Sequence, residues 1–174
     1  AERYVRAMLG QLVDEGALKE VDHTYALRSH TVKLSPAMQR QIAFVEQFLV
    51  ECGTKVPLFS ELEPAAEKQG IDEKQLRGIL RYLTGSRKAY VSEGNYLHAD
   101  VVDPIRTTLL TALIDSPEGF TVARFRDLIG ANRKMCLALY ALFDHEGITQ
   151  REGDVRVITE EGKRQVAEAR AQAK

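Results

Sequence analysis

The sequence predicts a mostly helical α+β chain built from tandem winged-helix units, and three observations point to it. An apolar helix pattern running into a short two-stranded segment around a tight turn occurs three times. The second and third occurrences align step by step at an offset of about sixty residues, the mark of a tandem array. Helix, helix, helix and then hairpin, within about seventy residues, is the layout of a helix-turn-helix module carrying a wing.

Taken in order, residues 1–34 read as the C-terminal half of a first unit. A helix over Tyr4 to Asp14 is followed by strands Leu18 to Val21 and Tyr25 to Arg28 about Asp22-His23, so the chain is expected to begin inside that unit. A complete unit over 35–101 should open at Ser35-Pro36, a preferred N-cap and first-turn pair. It continues through Phe59-Ser60, a helix to Gly70, Asp72-Glu73-Lys74 at the start of the next helix, and the hairpin Val91-Ser92-Glu93-Gly94-Asn95-Tyr96. The third unit, 102–165, should open the same way at Asp103-Pro104. Phe120-Thr121, a helix to Gly130, Asn132-Arg133-Lys134 and the hairpin Arg151-Glu152-Gly153-Asp154-Val155-Arg156 follow, with 166–174 left as a polar tail of helix-like composition. Units this small bury little surface alone, so neighbours are expected to support one another.

Composition narrows the function classes. The 174 residues carry 24 Lys and Arg against 25 Asp and Glu, a net charge of −1. A protein that grips nucleic acid by nonspecific electrostatics is clearly basic, so any nucleic-acid contact here has to be a local patch. No apolar run approaches the roughly 18 residues of a membrane span, and the N-terminus has no signal-peptide shape, which makes the expected location cytoplasmic. Cys52 and Cys136 sit in apolar helical patterns and read as buried reduced thiols. Neither they nor His23, His30, His98 and His145 have metal-ligand spacing, so neither zinc nor another cofactor is expected. A phosphate loop of the GxxxxGK[ST] type and a nucleophile–base motif are both absent from the sequence, so no enzymatic activity is expected of it.

Two basic patches remain. In the second unit Leu76, Ile79, Leu80 and Leu83 mark a core face, leaving Lys74, Arg77 and Arg81 on an exposed stripe. A solvated helix face and a second nucleic-acid contact both fit this stripe, because Asp72 and Glu73 occupy the helix start where phosphate would otherwise bind. The third unit is the reverse case. Its last helix is apolar nearly all round, Met135 to Phe143, and so has few groups with which to read base edges in a major groove. At its tip, however, Asn132 can cap while Arg133 and Lys134 stand at the positive end of the dipole, with Arg151 and Arg156 flanking the nearby wing turn. Such a tip favours an anionic ligand, and tip plus wing leave room for one extruded base between phosphate donors, a geometry suited to an RNA hairpin.

The stretch Phe120-Thr-Val-Ala-Arg-Phe-Arg-Asp-Leu-Ile-Gly130, then Ala-Asn-Arg-Lys134, an apolar helix ending Phe143-Asp144, and Gln150-Arg-Glu-Gly-Asp-Val-Arg-Val-Ile158 resembles the C-terminal winged helix of SelB, the bacterial selenocysteine-specific translation elongation factor. The upstream part, with His30-Thr-Val-Lys-Leu-Ser-Pro36, is similar to the preceding winged helices of that family. The resemblance implies an mRNA-binding arm, without the factor's GTPase domain, that holds the selenocysteine insertion hairpin so that selenocysteinyl-tRNA is delivered at UGA. It places Asn132, Arg133, Lys134, Arg151 and Arg156 at the RNA, with Arg124 and Arg126 on the preceding helix as further contacts. The second unit is then a spacer whose Lys74, Arg77 and Arg81 are free for ribosome or tRNA, and the chain is expected to be monomeric. Glu152 departs from the family pattern by placing a negative charge beside Arg151. Two other classes stay open: a DNA-binding winged-helix regulator, which the Thr159-Glu-Glu-Gly162 stretch resembles, and a tandem winged-helix scaffold for protein partners.

Overall fold

In a computed structural model the chain is described over residues 18–21, 24–27 and 34–172. It divides into two compact units, Ala1–Gln39 and Arg40–Lys174. In the first, β1 (Leu18–Val21) pairs antiparallel with β2 (Thr24–Leu27), Leu18 opposite Leu27. The hairpin expected there is present, its second strand one residue earlier than the alternation suggested. The helix expected over Tyr4 to Asp14 lies outside the described residues.

The second winged helix follows the expected order. Helix α1 (Pro36–Glu51) is opened by Ser35, whose Oγ accepts from the Met38 N–H at 3.2 Å. After α2 (Phe59–Glu67) comes α3 (Glu73–Gly85), started by a full capping box in which Asp72 accepts from the Gln75 N–H and the Gln75 side chain accepts from the Asp72 N–H. Leu76, Ile79, Leu80 and Leu83 are its buried stripe, as their spacing demands. The wing pairs β3 (Ala89–Ser92) with β4 (Asn95–His98) across a two-residue turn in which both Glu93 and Gly94 have positive φ, 51° and 73°.

The expected opening of the third winged helix is corrected. Its first helix, α4 (Ala99–Ile114), starts directly after β4, and its N-cap is His98, not Asp103. The imidazole Nδ1 accepts from the Asp100 N–H at 3.1 Å, while Nε2 faces Glu46 Oε1 at 3.3 Å. Pro104 therefore sits inside the helix. Asp103 is engaged elsewhere: it accepts from the Tyr90 hydroxyl at 2.8 Å and pairs with Arg106. A cap–proline pair names a helix start only when nothing stronger lies upstream, and here the strand end and His98 supply one.

Beyond α4, β5 (Phe120–Thr121) leads into α5 (Val122–Ile129), which Thr121 caps and Gly130 ends in the left-handed conformation. Helix α6 (Arg133–His145) is capped by Asn132, whose Oδ1 accepts from the Met135 N–H at 2.8 Å. The wing strands β6 (Thr149–Glu152) and β7 (Val155–Ile158) join β5 in a three-stranded sheet ordered β5-β7-β6. In the second unit Phe59 and Ser60 already lie inside α2. In the third, Phe120-Thr121 stay extended and pair with β7, and the Thr121 hydroxyl caps the helix that follows. Residues 166–172 of the expected polar tail belong to α7 (Glu160–Gln172), which buries Val166.

The apolar core of the third winged helix takes in residues of the second. Val56 and Leu97 of the second join Val102, Leu109, Phe125, Leu139 and Phe143 of the third. Ser92 on the second wing donates to the carbonyl of Ala138 in the middle of α6 at 2.6 Å, in a buried position. Nearby, Arg106 bonds Glu146 at 2.8 and 3.0 Å, and its guanidinium lies 5.0 Å from the Tyr90 ring centroid and 5.4 Å from that of Phe143. Burial works against the Arg106 charge, but its bonds to Glu146 and Asp103 outweigh that and raise its pKa. The apolar character of α6 thus has a tertiary cause: one face packs on its own domain, another against the preceding wing.

Candidate nucleic-acid interface

The start of α5, the tip of α6 and the wing enclose a cavity of about 330 Å³. Thr121, Val122 and Ala123 line it from the turn into α5, Arg133 and Leu137 from α6, and Arg151, Asp154 and Arg156 from the wing. Arg133 and Leu137 are one helical turn apart on a single face. Leu137, 42% exposed, is the side chain of the apolar helix that is left uncovered at this point. The result is an apolar wall under three guanidinium groups, open to solvent, of a size that takes a small planar group.

The electrostatics favour an anion. Helix α6 has no acidic residue in its first turn, so beyond the Asn132 cap no carboxylate offsets the positive end of the dipole beside Arg133 and Lys134. Among the described residues Arg151 bonds only the carbonyl of Gly153, through Nε at 3.0 Å. Arg156 Nε pairs with Asp144 Oδ2 at 3.0 Å, with its guanidinium 4.9 Å from the Tyr140 ring centroid. Burial pushes the Tyr140 hydroxyl well above its ordinary range, and that hydroxyl donates to the Phe120 carbonyl at 3.1 Å.

The other residues singled out by sequence are placed differently. Asn132 spends its side-chain oxygen on the cap. Lys134 is beside the cavity in sequence but does not line it. Arg124 holds the turn before α5, bonding Glu118 at 2.6 Å and Ser116 at 3.0 Å over the Phe120 ring, and Arg126 pairs with Asp127 at 3.1 Å. Glu152 does not line the cavity; the acid that does is Asp154. Sequence reading missed the contribution of Leu137, Val122 and Ala123, because nothing in an apolar run says which member the neighbours leave bare.

The stripe on α3 is weaker than its spacing suggests. Arg77 is tied to Glu73 at 2.7 Å and lies 5.3 Å from the Phe59 ring centroid; the bond to Glu73 raises its pKa. Lys74 and Arg81 make no ion pair among the described residues. A groove of about 510 Å³ at the helix start is lined by Glu63, Glu67, Asp72 and Glu73, which repel phosphate there. Burial raises the pKa of the free thiols Cys52 and Cys136; Cys136 is buried as expected, and Cys52, just past α1, is partly exposed. No group of His, Cys, Asp and Glu among the described residues could hold a metal ion. Nor is any described helix long and apolar enough to cross a membrane.

The family model described as the winged helix of elongation factor SelB matches residues 112–158. Every residue lining the arginine cavity falls inside that match. Residues 112–158 are thus similar to the SelB winged helix. Around it, the likeness to solved structures is one of fold. The mRNA-binding domain of E. coli SelB, solved in complex with SECIS RNA, superposes with a TM-score of 0.58 at 22% identity, over 72% of this chain and 99% of that one. A bacterial selenocysteine-specific elongation factor, EF-Sec, superposes with a TM-score of 0.52 at 17% identity, over 88% of this chain and 23% of that one. No curated protein sequence matches the chain. The tandem winged-helix architecture read from the internal repeat is the one observed over residues 34–172.

Proposed function

We propose that this chain is the mRNA-binding arm of a selenocysteine-specific elongation factor, and that its SelB winged helix grips the selenocysteine insertion hairpin so that selenocysteinyl-tRNA is delivered at UGA codons. The observation that carries this is the arginine cavity, which lies wholly inside the SelB-matched segment. A-form RNA has a major groove too deep and narrow for side chains, so a hairpin is held by its backbone and by bases turned out of the stack. Arg133, Arg151 and Arg156 supply backbone donors on a short arc, and the Leu137 wall between them can pack one unstacked base. Lys134 and the amide of Asn132 extend the arc along the backbone, with Arg124 and Arg126 at its edge. A duplex reader would instead present Arg, Asn or Gln along α6, where this chain has Leu137.

The arm performs no reaction of its own and needs no cofactor; GTP chemistry belongs to the body it serves. In this division residues 102–165 hold the RNA and residues 35–101 act as the spacer, with Lys74 and Arg81 available to the ribosome or tRNA. The molecule works as a cytoplasmic monomer. The test is binding of the chain to a SECIS RNA hairpin beside a DNA duplex of equal length. The hairpin is expected to bind more tightly, and a preference for the duplex would overturn the reading in favour of a DNA-binding regulator.

A further inference from the structure

Within the cavity Arg156 stands apart from its neighbours. It is directly opposite Arg151 on the adjacent wing strand, and β7 also places it opposite Phe120. Two arginines facing each other across strands repel, so the wing holds an arrangement that is unfavourable by itself. What compensates it comes from another element. Asp144, in the last turn of α6, bonds Arg156 Nε at 3.0 Å through Oδ2 and accepts from the Thr149 hydroxyl at 2.6 Å through Oδ1. The Arg156 side chain is only 13% exposed and that of Asp144 28%, so solvent screens this pair less than a surface one. Beneath the guanidinium lies the Tyr140 ring, itself fixed by its bonded hydroxyl.

We infer that Asp144 is a positioning residue for RNA binding: anchored by Thr149, its carboxylate holds Arg156 by Nε and so leaves the two terminal guanidinium nitrogens free for the RNA. Among the described residues those nitrogens have no protein acceptor, and no buried side-chain polar atom lacks a partner, so they reach solvent where Arg156 lines the cavity. Asp154, the carboxylate lining the same cavity, is the competing partner. With Asp144 in place, Arg156 is clamped between a carboxylate and an aromatic face and does not turn to Asp154. A guanidinium fixed before the ligand arrives loses less freedom on binding.

The inference rests on the RNA-binding reading, and the experiment separates the two. SECIS RNA hairpin affinity is measured for the full chain carrying Asp144→Asn, Arg156→Ala, both together, Arg156→Lys and Arg133→Ala. The asparagine oxygen keeps the Thr149 bond, while its amide cannot accept from Arg156 Nε. Asp144→Asn is expected to weaken binding about tenfold, as Arg156→Ala does, and the double variant to be no weaker than Arg156→Ala alone. Arg156→Lys, which keeps the charge and can still meet Asp144 but has no second nitrogen to present, is expected to bind like Arg156→Ala. Losses that multiply in the double variant, wild-type binding by Asp144→Asn, or wild-type binding by Arg156→Lys would each overturn the inference. Loss at Arg133 without loss at Arg156 or Asp144 overturns it alone, whereas no loss at any of the arginines overturns the RNA reading as well.

Discussion

Arg133 and Lys134 are adjacent in sequence and equivalent in charge, yet only Arg133 lines the cavity. Helical geometry explains the difference, since successive residues point about 100° apart. Arg133→Ala is therefore expected to cost about 1–3 kcal/mol of hairpin affinity, the scale of a lost charge-assisted contact. Lys134→Ala and Lys74→Ala should cost clearly less, and fluorescence anisotropy titrations of the three variants check the order. Equal losses at Lys74 and Arg133 would move the site to α3. The basic residues at the helix tip and in the wing were legible in the sequence as a group, because capping and turn residues bracket them. Their commitments were not. Arg124 looks as free as Arg133 until the fold brings Glu118 and Ser116 to it.

At the scale of the element, α6 carries both structure and recognition. Its tip depends on Asn132, and Asn132→Ala should lower stability by about 1 kcal/mol through loss of the cap, read as a reduced melting temperature. A second element has a tighter constraint. Gly162 in α7 passes so close to the turn after α6 that a Cβ would lie 2.4 Å from the Ile148 carbonyl oxygen and 2.8 Å from Ile158 Cγ1. Backbone cannot yield cheaply there, so Gly162→Ala is expected to destabilise by about 1–3 kcal/mol in chemical denaturation. The Thr159-Glu160-Glu161-Gly162 stretch is thereby explained as a helix start fitted against the wing: Thr159 Oγ1 accepts from the Gly162 N–H and donates to the Gly147 carbonyl. That packing duty accounts for the motif without invoking DNA.

Across the larger unit, residues of the second winged helix complete the core of the third, while the arginine cavity draws on residues 121 to 156 alone. Stability and recognition should therefore separate. A piece beginning at His98, with the helix cap intact, is expected to keep hairpin affinity to within about tenfold but to melt at lower temperature, since it exposes the faces that Val56, Leu97 and Ser92 cover. A loss beyond about 2 kcal/mol in a piece shown to be folded by circular dichroism would mean that recognition is shared between the winged helices. Beginning at Asp103 instead would remove the first turn of α4 and its His98 cap, and should fold less well. Few cations face the RNA, so the log–log dependence of affinity on salt should have a slope on the order of −2 to −5. A slope near −10 would require a basic surface much larger than this one.

The order of helices and hairpins follows from local rules acting on near neighbours: apolar spacing, Ser35, Asp72 and Asn132 at helix starts, glycine in the wing turns. So does the offset between units, and with it the winged-helix class. Long-range packing decided what those rules do not reach. It showed that α4 begins at Ala99 with His98 as its cap, because a strand end upstream outranks a cap–proline pair. It also showed that α6 is apolar all round because two bodies cover it, and that Leu137 is the gap in that cover. The pairing of Asp144 with Arg156, twelve residues apart on different elements, depends on how the wing folds back onto the helix, and no periodicity in the chain encodes that contact.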